Sequence, residues 1–132
     1  MRTQNKPLEI AVIKDNKKQG PIPSVWRPVL TQIVKSFVRH DYLLSAGIPG
    51  VATVSAETAE QIQEYIEEYG ERLIELPEEA WDTSVCIWLG DRWNALIDLW
   101  TEAEGSSDLV LSVHITEAES GYLVDLYMVY VP

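Results

Sequence analysis

The chain has 132 residues, of which 46% are hydrophobic. This length and apolar content fit one globular domain with its own core, and they argue against a disordered chain. The lone cysteine, Cys86, excludes an intramolecular disulfide and a multi-cysteine zinc site. No apolar run has the length of a signal peptide or of a membrane-spanning helix, so we expect a cytoplasmic protein without a membrane partner.

The formal net charge of −11 is distributed unevenly along the chain. Residues 1–40 contain eight Lys and Arg against two Asp and Glu, whereas residues 41–132 contain two against nineteen. The acidic part would repel the phosphates of nucleic acid, so we expect no direct nucleic-acid binding. Such a surface would attract a basic protein, although high charge can also serve solubility alone.

The first 23 residues predict a basic arm or linker that is loosely ordered, because glycine and prolines interrupt its second half. The rest of the chain, residues 24–132, is predicted to form a single domain. Its first helix is expected over residues 24–39, where apolar side chains recur at helical spacing. Ser24 is a suitable N-cap for this helix, and Pro28 stands in the first turn, where proline is tolerated.

A second helix is predicted between Ser55, as its N-cap, and Gly70, as its left-handed terminator. Five glutamates follow one another there at spacings of three and four residues, which places them along one exposed face. We call this set the glutamate stripe, and it comprises Glu57, Glu60, Glu64, Glu67 and Glu71. No Lys or Arg stands four residues after any of them, so the like charges repel by about 0.2–0.5 kcal/mol per pair. The stripe indicates either a solvated face or a docking surface for a basic partner.

After residue 77 the hydrophobic period changes from 3.6 residues to two, which is typical of strands. Four strands are predicted, over residues 84–89, 93–101, 108–116 and 122–131. The short separators between them suit hairpins, so the strands should form an antiparallel meander. The expected fold is therefore α+β, with two helices packed on one face of a four-stranded antiparallel meander sheet.

Strict alternation divides the side chains of the predicted sheet between two faces. The apolar face, which should pack on the helices, includes Val85, Ile87, Leu89 and Met128. The other face, which we call the open face, includes Cys86, Trp88, Asp98, Trp100, His114, Asp125, Tyr127 and Val129. Its mixture of aromatic rings and a few charges resembles the composition of interface hot spots. Alternatively, the arm covers this face or a bulge shifts the alternation.

The turn between the second and third predicted strands is also acidic. Asp98, Glu102, Glu104 and Asp108 could gather around a calcium ion, which prefers oxygen ligands. Their spacing does not follow the EF-hand pattern, and a polar hairpin turn is the favoured interpretation. We expect no metal and no cofactor, and we count Glu102 and Glu104 among the partner-binding residues.

Catalytic residues are not expected. The sequence lacks the H-E-x-x-H, P-loop and G-x-G-x-x-G motifs. His114 could approach Asp98 or Asp125 on the open face as an acid/base pair, and Cys86 could complete a nucleophilic set. A structural histidine is the favoured interpretation, and the chain is not expected to be an enzyme.

The segment from Asp98 to Leu109 reads D-L-W-T-E-A-E-G-S-S-D-L. It is similar to a D-L-W-T-x-x-E-G-x-S-D-L signature of an uncharacterised family of small bacterial domains. Further matching segments are Tyr69-Gly70-Glu71, Leu76-Pro77 and Val129-Tyr130-Val131-Pro132. The resemblance covers residues 24–132 and implies a bacterial origin, but it implies no activity.

In overall character the chain also resembles bacterial toxin-immunity proteins. That resemblance implies a non-catalytic protein that binds and neutralises a basic toxin domain, for example a nuclease, with complementary charge giving fast association. Mimicry of DNA toward a nucleic-acid-binding protein is a variant of this hypothesis. The alternative is a small-molecule-binding module that stacks its ligand on the open face. The sequence leaves the oligomeric state open.

Overall fold

Two helices and six strands form an α+β fold in the computed structural model, which describes residues 9–132. The helices are α1 (Arg27–Val38) and α2 (Ala56–Tyr69). The strands are β1 (Gly20–Pro21), β2 (Leu73–Ile74), β3 (Val85–Trp88), β4 (Trp93–Thr101), β5 (Gly105–Ala118) and β6 (Gly121–Tyr130). Short 3₁₀ turns at Ser24–Trp26 and Glu78–Asp82 precede α1 and β3. No helix within residues 9–132 is long and apolar enough to cross a membrane.

The strands form one antiparallel sheet in the order β1-β3-β4-β5-β6, and β2 pairs with the far end of β4. The meander from β3 to β6 agrees with the predicted hairpins. The prediction of four strands was imprecise because β1 and β2 contain only two residues each. Two residues are too few to produce an alternating pattern that sequence reasoning could detect.

Local signals place α2 as predicted. The Ser55 side chain accepts a hydrogen bond from the Thr58 N–H at 3.1 Å, and Gly70 ends the helix at φ 82°. On its inner side, the Gln61 amide donates to the Val129 carbonyl at 2.6 Å and accepts from the Val129 N–H at 3.1 Å. Gln61 therefore satisfies the backbone of Val129 at the outer edge of β6 as a further strand would.

The core lies between the two helices and one face of the sheet. Odd-numbered side chains of β4 and β5 are buried against apolar side chains of the helices. The largest fully buried members include Trp26, Leu30, Ile33, Ile62, Trp93, Ile97, Leu111 and Ile115. Trp26 and Trp93 meet edge to face, with ring centroids 5.2 Å apart. Both helices thus lie on one face of the sheet, as the sequence predicts.

The predicted faces of β3 were wrong. Trp88 pairs with Trp93 across a loop of four residues, so even-numbered side chains of β3 share the core face with odd-numbered side chains of β4. Cys86 and Trp88 consequently lie on the core side, whereas Val85 and Ile87 lie on the open face. Leu89, expected in the core, is 53% exposed in the loop.

A bulge in β6 corrects the prediction at the end of that strand. Ser112 pairs with Met128, whereas its neighbour Val113 pairs with Leu126, so Tyr127 is an extra residue. Beyond this bulge the alternation is reversed. Met128 therefore lies on the open face, and Val129 is fully buried in the core.

The basic arm predicted over residues 1–23 lies partly outside the described residues. In the described part, Gly20 pairs with Cys86 and Pro21 with Val85. The Trp93 indole donates a hydrogen bond of 2.9 Å to the Ile13 carbonyl. These contacts place the described part of the arm along the β3 edge of the sheet.

Candidate partner-binding surfaces

The glutamate stripe is exposed along its whole length. Four of its members lie on α2, and Glu71 comes after the left-handed Gly70 that ends the helix. Within residues 9–132 the ion pairs are Lys14–Glu117, Lys35–Glu75 and Arg92–Asp91. None of these pairs involves the stripe. Within that part of the chain, the one hydrogen bond to a stripe carboxylate is from the Gln63 amide to Glu67, at 3.0 Å. The carboxylates are therefore available to an external cation.

Two clefts that sequence reasoning missed lie beside the stripe. The first has a volume of about 520 Å³ and lies between the C-terminal ends of α1 and α2, with Glu67 and Glu71 in its lining. The second, of about 350 Å³, lies between Glu60 and the loop that follows α1. His40 and Tyr42 line both clefts. No sequence signal could have indicated this arrangement, because it depends on how two helices meet.

The boundary between the clefts has an unusual backbone. His40 has φ 63°, a left-handed conformation that strongly favours glycine. Its N–H bonds the Phe37 carbonyl and the Asp41 N–H bonds the Ser36 carbonyl, both at 2.9 Å, which is the Schellman ending of a helix. The His40 ring nitrogen lies 3.2 Å from the Tyr42 hydroxyl. Burial raises the pKa of Tyr42, and the charge of Glu67 raises it further.

One part of the open face brings three of the predicted site residues together. His114 stacks on Tyr127, with ring centroids 4.6 Å apart and 24° between the planes. Asp125 stands directly opposite His114 across the β5–β6 ladder. Burial lowers the pKa of His114, and nearby Arg92 lowers it further, while Asp125 and Asp91 act in the opposite direction. This cluster presents an aromatic pair beside carboxylates.

Asp98 and Trp100 lie on the same face but further along β4. Asp98 pairs with Val110, and its carboxylate accepts a hydrogen bond from the Thr83 hydroxyl. It therefore does not join His114, which pairs with Asn94 instead. Trp100 is half-buried, and its ring lies 3.5 Å from where a Cβ on Gly105 would stand.

The acidic turn does not gather its carboxylates around a cation. The Tyr69 hydroxyl donates to Glu104 at 2.8 Å and accepts from the Asp108 N–H at 3.1 Å. Thr101 also donates to Glu104, and Glu102 is exposed, with its N–H bonded to the Arg72 carbonyl. No group of three or more His, Cys, Asp or Glu positioned to hold a metal occurs within residues 9–132. The turn is a hydrogen-bonded hairpin.

Cys86 does not complete a nucleophilic set with His114. It lies on the core side, and its Sγ is 3.6 Å from the Pro21 carbonyl oxygen. Burial raises the pKa of the Cys86 thiol to about 11, which keeps it protonated at neutral pH. The predicted placement of Cys86 and Trp88 on the open face was wrong, because Trp88 pairs with Trp93 and this register turns both side chains toward the core.

The fold and its surfaces define a small acidic α+β domain. Residues 34–132 match a family described as a domain of unknown function (DUF7668), and the chain belongs to that family. No curated protein and no solved structure matches the chain significantly. The matched range contains α2, both clefts' acidic walls and the whole meander.

Proposed function

We propose that this protein is a non-catalytic immunity protein that binds and neutralises a basic toxin domain. The observation that carries the proposal is the glutamate stripe, whose members are exposed and form no ion pair within residues 9–132. Repulsion within the stripe costs stability, and an approaching basic surface would relieve it. The charge of residues 41–132 would also steer a basic partner toward this side of the domain.

The open face, on the other side of the sheet from α2, offers a separate second contact in the same proposal. Tyr127 is 53% exposed, its ring is held by stacking on His114, and Asp125 stands beside the pair. A rigid aromatic side chain next to a carboxylate suits an arginine, which can stack and pair at once. Trp100 and Asp98 extend this contact, whereas Trp88 is withdrawn to the core side.

The experiment is an affinity capture with two matched variants. The immobilised protein is exposed to the lysate of its native host and to the products of adjacent reading frames, at low and at high salt. One variant reverses three stripe charges (Glu60→Lys, Glu64→Lys and Glu67→Lys). The control reverses three exposed acids of the 3₁₀ turn before β3 (Glu78→Lys, Glu79→Lys and Asp82→Lys), which changes the net charge equally.

The expected result is one basic protein that binds at low salt, binds less at high salt, and is lost only with the stripe variant. That protein should arrest growth when expressed alone, and coexpression of the present chain should restore growth. A partner that binds both charge-reversed variants equally would remove the stripe from the proposal. A partner without toxicity would contradict the immunity role.

A small-molecule-binding module is the second candidate. The observation favouring it is the half-buried Trp100 on the open face, whose Nε1 is buried and has no hydrogen-bond partner within residues 9–132. This ring could stack a flat ligand independently of the His114–Tyr127 pair, which lies about 20 Å away along β4. Screening metabolites by thermal shift, with Trp100→Phe as the control, would detect such a ligand. An unchanged melting temperature across the screen would exclude the candidate.

A further inference from the structure

We infer that the two clefts beside α2 receive two basic side chains from a single extended segment of the partner. The inference rests on the proposed function. It adds which part of the surface recognises the partner and how far apart the partner's two basic side chains stand. Between the clefts stands the His40–Tyr42 pair, which contributes to both linings. The occupant is identified from the lining chemistry and from the charge of the walls.

The first cleft combines apolar walls with carboxylates at its rim. Its lining includes Phe37, Val38, Ile66 and Leu73, together with Glu67, Glu71 and Arg72. An arginine or lysine side chain has the matching structure, because its aliphatic stem can lie on apolar groups while its charged end meets carboxylates. The carboxylates of Glu67 and Glu71 outnumber the one guanidinium, that of Arg72, so the rim of the cleft has a net negative charge.

The ends of both helices add to this preference. The first cleft contains C-terminal residues of α1 and of α2, so the negative ends of two helix dipoles point toward it. The last turn of α2 contains no basic residue that would neutralise its end. The last turn of α1 contains Lys35, so a cation in the cleft would interact favourably mainly with the end of α2 and with Glu67 and Glu71.

The second cleft repeats this pattern on a smaller scale. Glu60 and Gln63 form its wall on α2, and Leu43 and Ala59 supply apolar surface. The other carboxylate in its lining, Asp41, already accepts three hydrogen bonds from Ser45. Glu60 is thus the carboxylate that remains for a ligand.

The helix sets the distance between the two acidic walls. Glu60 and Glu67 are seven residues apart on α2, which corresponds to about 10.5 Å along the helix axis. A polyproline II segment covers about 9.3 Å in three residues and brings its side chains back to the same side every three residues. A segment in this extended conformation with basic side chains at positions i and i+3 would therefore place one in each cleft.

His40 supports a role in binding rather than in folding. Glycine would adopt its left-handed backbone at lower cost, so a histidine at this position costs stability. Its ring nitrogen and the Tyr42 hydroxyl form a polar contact between the clefts. Tyr42 itself is only 5% exposed, so this wall is held rigidly by the core.

The test uses two short peptides of equal composition as probes. One is acetyl-Gly-Arg-Gly-Gly-Arg-Gly-amide, and the other places the two arginines next to each other. Each is titrated into the ¹⁵N-labelled full chain at about 20 mM salt, where surface attraction is weakly screened. We expect the spaced peptide to bind several-fold more tightly and to shift amide signals of residues 37–43 and 59–73.

Two double variants separate recognition from general attraction. Glu60→Gln with Glu67→Gln removes one carboxylate from each cleft, whereas Glu57→Gln with Glu64→Gln removes two stripe charges that line neither. The first should weaken the spaced peptide about tenfold and the second about twofold. Asparagine tolerates the left-handed backbone, so His40→Asn should weaken binding of the spaced peptide several-fold without lowering the melting temperature.

The outcomes distinguish this inference from the proposed function. If the two double variants lost affinity equally, or if the two peptides bound equally, the clefts would not be the recognition sites. The stripe would then attract cations only through its overall charge. In that case the captured toxin would still depend on the stripe. If the toxin bound both double variants and the charge-reversed stripe as well as it binds the native chain, the proposed function would fail too.

Discussion

The β4–β5 hairpin and the glutamate stripe are similarly acidic, but their carboxylates are used in opposite ways. In the hairpin, Glu104 accepts hydrogen bonds from Tyr69 and Thr101, and Asp98 accepts one from Thr83. In the stripe, the ion pairs of residues 9–132 involve no member. Acidic composition alone therefore does not indicate a binding surface. What matters is whether the fold already supplies donors to the carboxylates.

The same contrast holds for the backbone of the two regions. The hairpin places Gly105 at its left-handed position, with φ 77°, whereas the clefts beside the stripe have His40 at φ 63°. The hairpin thus uses the residue that minimises strain. The cleft region carries a side chain where glycine would be more stable, which is typical of a functional site.

The largest effect should come from the buried hydroxyl of the hairpin. Thr101 is fully buried, and its Oγ1 donates to the Glu104 carboxylate at 3.1 Å and accepts from the Glu104 N–H at 3.2 Å. Thr101→Val should lower the free energy of unfolding by about 2 kcal/mol, because the Glu104 N–H loses its side-chain acceptor and the Glu104 carboxylate keeps only the Tyr69 hydroxyl as a donor. Urea unfolding would measure this, with the exposed Thr53→Val as control. Equal stability of the two variants would contradict the structural role of the hairpin acids.

Substitutions at the two left-handed positions, Gly105 and His40, should change the free energy of unfolding in opposite directions. Gly105→Ala should lower the free energy of unfolding by about 1–2 kcal/mol, because a residue with a side chain is strained at its φ of 77°. His40→Gly should raise it by about 0.5–1 kcal/mol. Thermal and urea unfolding of both variants would check the signs. A destabilised His40→Gly would mean that the imidazole serves the fold.

Sequence reasoning predicted the parts of the fold that depend on neighbouring residues. Ser55 and Gly70 delimit α2, and the alternation of β4 gives the strand Trp93–Thr101 with the predicted bounds. Both signals act over a few residues, so a single sequence contains them. The exposed stripe follows from the same helical period.

The failures concern information that a single strand or helix does not contain. The faces of β3 were inverted because they depend on the pairing of Trp88 with Trp93, and the face of Met128 depends on the bulge at Tyr127. The clefts depend on how the loop from His40 to Tyr42 meets α2. Of the predicted site, the stripe lies on α2 and the His114–Tyr127–Asp125 group lies on the opposite, open face of the sheet, whereas Trp88 lies on the core side.

Substituting two tyrosines that lie one turn apart on α2 should change the melting temperature by different, smaller amounts. The Tyr69 hydroxyl connects the helix to Glu104 and to the Asp108 N–H of the hairpin, whereas Tyr65 is exposed and forms no side-chain hydrogen bond within residues 9–132. Tyr69→Phe should lower the melting temperature by about 3 °C, and Tyr65→Phe should leave it unchanged. Equal effects would show that the contact between α2 and the hairpin adds nothing beyond packing.

The smallest effect tests the comparison most directly, because one chemical change should have opposite consequences in the two regions. Glu104→Gln weakens the charge-assisted hydrogen bonds from Tyr69 and Thr101, so the melting temperature should fall by about 1–2 °C. Glu64→Gln removes repulsion from Glu60 and Glu67, so the melting temperature should rise by a similar amount. The gain at Glu64 should vanish at about 1 M salt, where the Debye length is about 3 Å, whereas the loss at Glu104 should persist because its partners are in direct contact. If both variants lost stability, the stripe carboxylates would stabilise the fold as the hairpin carboxylates do, and they would not be free to bind a partner.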